Sequence, residues 1–186
     1  VWDDLDGQLN GVLTGNKTNK IGYGTTFGGA NISADYNKQE GGGSGKSVAV
    51  DYAPADGAMI FIAMSDEYAG PNSSLDQVTF GGTYTTGAVT MGIQRTNIDK
   101  AAVNSDEDRT HIAASFAVNE DLSVSFGISN VEFEGGSTDQ EDSGFGVSYT
   151  MGSMSIKGYQ VDTDNPGWDS DAQSNEVTEL AINFAF

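Results

Sequence analysis

Apolar and polar residues alternate with a period of two along nearly the whole chain. Over 121–129, Leu122, Val124, Phe126 and Ile128 form one set, and Ser123, Ser125, Gly127 and Ser129 form the other. Near the end, Thr178, Leu180, Ile182, Phe184 and Phe186 alternate with Glu179, Ala181, Asn183 and Ala185. Val48, Val50 and Tyr52 repeat the pattern, as do Val89, Met91 and Ile93, and Phe145, Val147 and Tyr149. In an extended strand successive side chains point to opposite faces, so each segment has one apolar and one polar face. Helical spacing is not sustained anywhere. The chain is therefore all-β, and its strands should pair as antiparallel hairpins.

The punctuation between strands is asymmetric. One set of turns is short: Gly28-Gly29, 54–57, Thr86-Gly87, Asn119-Glu120 and Gly152-Ser153. The intervening connections, 37–46, 66–75, 97–108, 131–142 and 162–175, are longer and polar. Short turns at one end and long loops at the other are the habit of a membrane β-barrel. The pattern predicts about eleven strands, near 20–28, 30–37, 46–54, 58–66, 76–86, 88–97, 108–118, 121–131, 143–151, 154–162 and 175–186.

The chemistry of the two faces separates a barrel from a soluble sandwich. A sandwich buries its large aliphatic face and charges the other. Here the large residues share one face, and the other is mostly Gly, Ser, Thr, Ala and Asn. That second face suits the lining of a wet lumen, with lipid on the first. Phe27, Tyr52, Tyr84, Phe116, Tyr149 and Phe186 gather next to the short turns, where an interfacial aromatic girdle belongs. No apolar run is long enough for a transmembrane helix, but barrel strands cross without one.

Composition removes several function classes. There is no cysteine, so disulfides and thiolate sites are excluded, and the one histidine, His111, is too few for a multi-histidine metal centre. The net charge of −19 argues against nucleic-acid binding, which needs clustered Lys and Arg. The run Glu40 to Ser47 nearly spells a phosphate-binding loop, but a strand follows it where that motif requires a helix. No catalytic constellation stands out, since the serine on the same strand face as His111, Ser115, lies four residues away and out of reach. An enzyme is not expected.

The ending Glu179 to Phe186, alternating and closing on Phe, resembles the last strand of bacterial outer-membrane porins. The strand ends Tyr84-Thr85-Thr86-Gly87 and Tyr149-Thr150-Met151-Gly152 look like those of alphaproteobacterial general diffusion porins. The resemblance implies an antiparallel transmembrane β-barrel of about sixteen strands in the outer membrane, a homotrimer, passing small hydrophilic solutes, with its third loop folded into the channel. About eleven of those strands are present, so about five would precede this sequence. Residues 1–19 would be the second half of the inward-folded loop, and 20–186 the barrel strands with their long acidic external loops.

On that reading Asp3, Asp4 and Asp6 lie at the constriction. Counting parity from the lipid-facing residues, Lys20, Arg109, His111 and Lys157 face them from the wall. Opposed charges across a narrow lumen set a transverse field that tunes ion preference. Outer-membrane lipid and lipopolysaccharide are the expected surroundings, and the net charge leads to an expected cation preference. The loop acids Asp106, Asp108, Asp139, Asp142, Asp162 and Asp164 offer oxygens that suit calcium, though 162–173 ends in Gln173 and is no EF-hand. A different class of reading is a secreted or cell-surface acidic β protein that binds calcium or a partner through those loops. A substrate-specific barrel would need a slide of lumen aromatics, and parity supplies only Phe61 and Tyr159.

Overall fold

The computed structural model describes residues 19–38, 43–68 and 73–184. Every regular element among them is a strand: β1 (Asn19–Phe27), β2 (Ala30–Lys38), β3 (Ser44–Ala55), β4 (Ala58–Tyr68), β5 (Ser74–Thr86), β6 (Val89–Lys100), β7 (Glu107–Ala117), β8 (Leu122–Phe133), β9 (Gln140–Met151), β10 (Met154–Asp164) and β11 (Asn175–Phe184). They form one antiparallel meander in which each strand pairs with the next in sequence. Among the described residues β1 and β11 do not pair with each other, so this is an open stretch of wall. Strands of 9 to 13 residues match the length that a tilted strand needs to cross a bilayer.

The short turns sit where the sequence places them. Gly28 and Gly29 both take positive φ, the mark of a tight turn that follows strand twist. Gly57 does the same between β3 and β4, and the carbonyl oxygen of Thr85 stands where its Cβ would be. Pro54 cannot donate to the ladder, and the β3–β4 register breaks between Tyr52 and Ala55.

The strands run further into the long connections than the alternation suggests. The β6–β7 connection shrinks to 101–106, and the β8–β9 connection to 134–139. The outward face turns polar there, at Asn97, Asp99, Asn130 and Glu132, while Ile98, Val131 and Phe133 stand inward, so the lipid-face alternation breaks while backbone pairing continues.

The faces are inverted relative to a soluble fold. On β6, Val89, Met91 and Ile93 point outward, followed by Arg95, Asn97 and Asp99. On β8, Leu122, Val124, Phe126 and Ile128 give way to Asn130 and Glu132. Ile93 and Phe126 are each 53% exposed, whereas the inward Thr79, Gln94 and Thr96 are buried. The outward face is an apolar band that ends in polar residues toward the long connections, as lipid followed by water requires. Phe27, Tyr52, Tyr84, Phe116 and Tyr149 are exposed on that face beside the short turns. Phe186 lies outside the described residues. Such an apolar exterior does not fit a water-soluble surface protein.

Candidate functional site

The functional surface is the inward face, and strand register determines its layout. One row runs Thr26, Asn31, Asp51, Phe61, Gly81, Gln94, His111, Ser129, Asp142, Thr163 and Asn175 across all eleven strands. Its ends are tied by hydrogen bonds. Thr26 donates to Asn31 Oδ1 at 3.0 Å, Asn31 Nδ2 donates to Asp51 at 2.8 Å, and Thr163 donates to Asp142 at 2.6 Å. Phe61 lies flat on the wall over Gly81, where a Cβ would come within 2.7 Å of its ring.

The neighbouring row holds Ala63, Thr79, Thr96, Arg109, Val131 and Gln140. Thr79 and Thr96 share a hydrogen bond at 3.0 Å, and Gln94 Nε2 donates to Thr96 at 3.4 Å. These hydroxyl and amide side chains bond to one another inside the wall, and Gln94 Oε1 keeps no partner among the described residues.

The structure sorts the predicted wall residues. Arg109 and His111 both point inward from β7, two residues apart. Lys157 also points inward, between Ser148 and Ala181, but it does not join them. The His111 row crosses β10 at Thr163, six residues from Lys157, which is about 20 Å of strand. The backbone of Lys20 pairs with Asn37. Asp3, Asp4 and Asp6 lie outside the described residues.

A cluster that parity alone does not reveal surrounds Arg109. Its Nε donates to Glu107 Oε2 at 3.1 Å, and its Nη2 reaches the same oxygen. Lys100 pairs with the other oxygen of Glu107. Glu107 is only 6% exposed, so its charge is held by two cations inside the wall. The sequence places Lys100 and Glu107 in a loop, whereas both stand on strands and face inward. The continuing parity of Gln94, Thr96, Ile98 and Lys100 was the available signal. Tyr159 donates to Glu179 on the neighbouring strand, beside Lys157.

The six acids considered for calcium do not converge. Asp106 accepts from the backbone N–H of Lys100 at 2.8 Å, and Asp108 points outward to Arg95 and Asn97. Asp139 accepts from Asn130, Asp142 from Thr163 and Gln140, and Asp164 from Ser174. Asp162 stands on the outward face of β10, between Ser143 and Glu176. Among the described residues no three His, Asp or Glu side chains group to hold a metal ion.

An apolar exterior, short and long connections in alternation, and a small polar interior are the features of an outer-membrane β-barrel wall. The family model for Gram-negative porins matches residues 2–174. The chain belongs to the Gram-negative porin family. Solved porins share its fold. An anion-selective porin from Comamonas acidovorans aligns with a TM-score of 0.74 at 18% identity, over 90% of this chain and 59% of that one. OmpT, an outer membrane protein of Vibrio cholerae, aligns at 0.69 and 16%, over 89% and 63%. A substituted porin from Rh. blastica aligns at 0.66 and 18%, over 90% and 55%. This porin thus spans less than two thirds of each of those chains. No curated protein matches it. Its place is the outer membrane of a Gram-negative bacterium, where its exposed Ile, Phe and Leu side chains meet lipid.

Proposed function

We propose that this porin acts as a water-filled channel for passive diffusion of small hydrophilic solutes and ions, with a preference for cations, and that it carries out no catalysis. The observation that carries the reading is the charge of the inward face. Asp35, Asp51, Glu67, Glu107, Asp142 and Glu179 point inward, against Lys100, Arg109 and Lys157. Lys100 and Arg109 both pair with Glu107, whereas Asp51 and Asp142 bond to neutral partners among the described residues and keep their charge beside the lumen. Charges lining a lumen tune ion preference over a scale of about 10 Å. The Comamonas porin of like fold is anion-selective, so fold does not set the sign; the side chains of the wall do.

Within this channel, Arg109, His111, Lys20 and Lys157 are the proposed basic wall, and Asp3, Asp4 and Asp6 the proposed acidic partner at the constriction. Arg109 acts there as an ion pair with Glu107 and not as a bare cation. A homotrimer follows the habit of the family, and OmpT has been solved in a trimer form. Lipid and lipopolysaccharide are the proposed surroundings.

Reconstitution of the full-length protein into planar bilayers tests the reading. Stepwise current is expected, with a reversal potential in a KCl gradient that reports K+ over Cl−. A folded, inserted protein that carries no current would overturn the channel, and a reversal potential of anion-selective sign would overturn the preference. A heat-sensitive trimer band on electrophoresis checks the assembly.

A further inference from the structure

We infer that the β10–β11 connection, residues 165–174, folds inward over the mouth of the pore as a docked strap, and that Trp168 is its latch and a determinant of which solutes enter. The inference rests on the channel reading above.

The strap does not stay between its own strands. It reaches past β9 to the inward face of β8. There Trp168 Nε1 donates to the carbonyl of Val131 at 3.0 Å, and the indole packs on Phe133 with ring centroids 4.7 Å apart. Val131 shares its row with Arg109, and Phe133 shares its row with Glu107, so both belong to the pore-facing side. Two apolar side chains are out of place on a wall of Gly, Ser, Thr and Asn. Val131 is nonetheless only 8% exposed. The indole supplies apolar cover to Phe133.

Polar tethers hold the strap on both sides of the latch. The carbonyl of Trp168 accepts from the backbone N–H of Ser137 at 3.0 Å and from its hydroxyl at 3.2 Å. The Ser170 N–H donates to Ser137 Oγ at 3.1 Å, the Gly167 N–H to Gln140 Oε1 at 3.0 Å, and Asn165 Nδ2 to the Asp139 carbonyl at 3.0 Å. Backbone geometry agrees. Asn165 (φ 52) and Trp168 (φ 59) sit in the left-handed region, which residues bearing a Cβ disfavour unless their surroundings impose it. Gly136 makes the close approach possible, since a Cβ there would come within 2.6 Å of Trp168 Cβ.

The ring on which the latch packs lies beside the charged cluster. Lys100 Nζ lies 6.0 Å from the Phe133 ring centroid, and Lys100 pairs with Glu107, which pairs with Arg109. The strap carries Asp169 and Asp171, both exposed. A docked strap therefore cuts across the opening above β9 and hangs acidic groups over it. An undocked strap leaves that span open.

The test uses the full-length protein in planar bilayers and proteoliposomes, reading single-channel conductance and the permeation of a trisaccharide relative to a monosaccharide. Trp168→Ala is expected to raise the trisaccharide ratio by about twofold and to raise conductance. Gly136→Ala keeps the indole but displaces it, and it should shift the ratio in the same direction. Ser137→Cys with Ser170→Cys joins positions whose hydroxyls lie 3.4 Å apart. Oxidised, that pair should return Trp168→Ala to the wild-type ratio, and reduction should release it. Folded Trp168→Ala and Gly136→Ala proteins with unchanged conductance and ratio would overturn the inference while the channel reading stands, as would a crosslink that rescues nothing. A wild type without current would remove the channel reading and this inference together.

Discussion

Arg109 grips Glu107, two residues away on the same inward face of β7, through both Nε and Nη2. Lys100 holds the other carboxylate oxygen from β6. A single nearly buried acid thus neutralises two of the three inward-pointing cations named above.

Replacing that acid should reverse the local balance. Glu107→Gln leaves Lys100 and Arg109 unpaired beside the lumen. The K+ over Cl− permeability ratio should fall, read as a shift of reversal potential toward the chloride value. Loss of a largely buried, doubly bonded carboxylate should also cost roughly 1–3 kcal/mol in urea-induced unfolding from lipid bilayers. An unchanged reversal potential in a folded Glu107→Gln channel would refute the electrostatic role.

Asp142 and Asp51 share one row and, among the described residues, bond to neutral partners, Asp142 to Thr163 and Gln140, and Asp51 to Asn31. Their charges are therefore not cancelled locally. Asp51→Asn with Asp142→Asn should lower cation preference more than either change alone. Stability should change little, because the amides still accept the same hydrogen bonds. Reversal potentials of the single and double variants check this.

Lys157 is exposed on the inward face and makes no ion pair among the described residues. Lys157→Glu should raise the K+ over Cl− ratio, with folding and heat-modifiable migration as in the wild type. A ratio that stays put would show that this stretch of wall lies outside the region that sets selectivity.

Phe126 is 53% exposed at the middle of an outward run on β8. Phe126→Arg should cost about 2–4 kcal/mol of folding free energy in lipid, as a charge facing the hydrocarbon does. The inward Ser125→Arg should cost far less, since its side chain enters water. Equal penalties in folding titrations would refute the division into a lipid face and a wet face.

Gly57 and Gly87 both take positive φ, but only Gly57 is crowded, by the carbonyl of Thr85. Gly87→Ala should cost about 1–2 kcal/mol for conformation alone. Gly57→Ala must also displace the β5 backbone, so its loss should be the larger in the same unfolding measurement.

How much of the site was legible follows from how local each signal is. The inward direction of Arg109, His111 and Lys157 could be counted from strand parity, because period two is a property of one strand. The separation of Lys157 from the other two could not be counted so, because it depends on register summed over β7 to β10. The outward direction of Asp108 and Asp162 is likewise a matter of parity, whereas the partners of Asp106, Asp139 and Asp164 depend on how the connections fold.

The amino-acid sequence by itself determined the strands, their alternation into a lipid face and a wet face, the short glycine turns and the acidic balance. Each is set by residues within a few positions of one another. Tertiary structure alone decided that Lys100 on β6 meets Glu107 on β7, and that Trp168 leaves its own hairpin to pack on Phe133. Those contacts join residues up to 35 positions apart. They depend on how many pairs each hairpin adds before it turns, and on a loop crossing a strand, neither of which leaves a periodic trace in the chain.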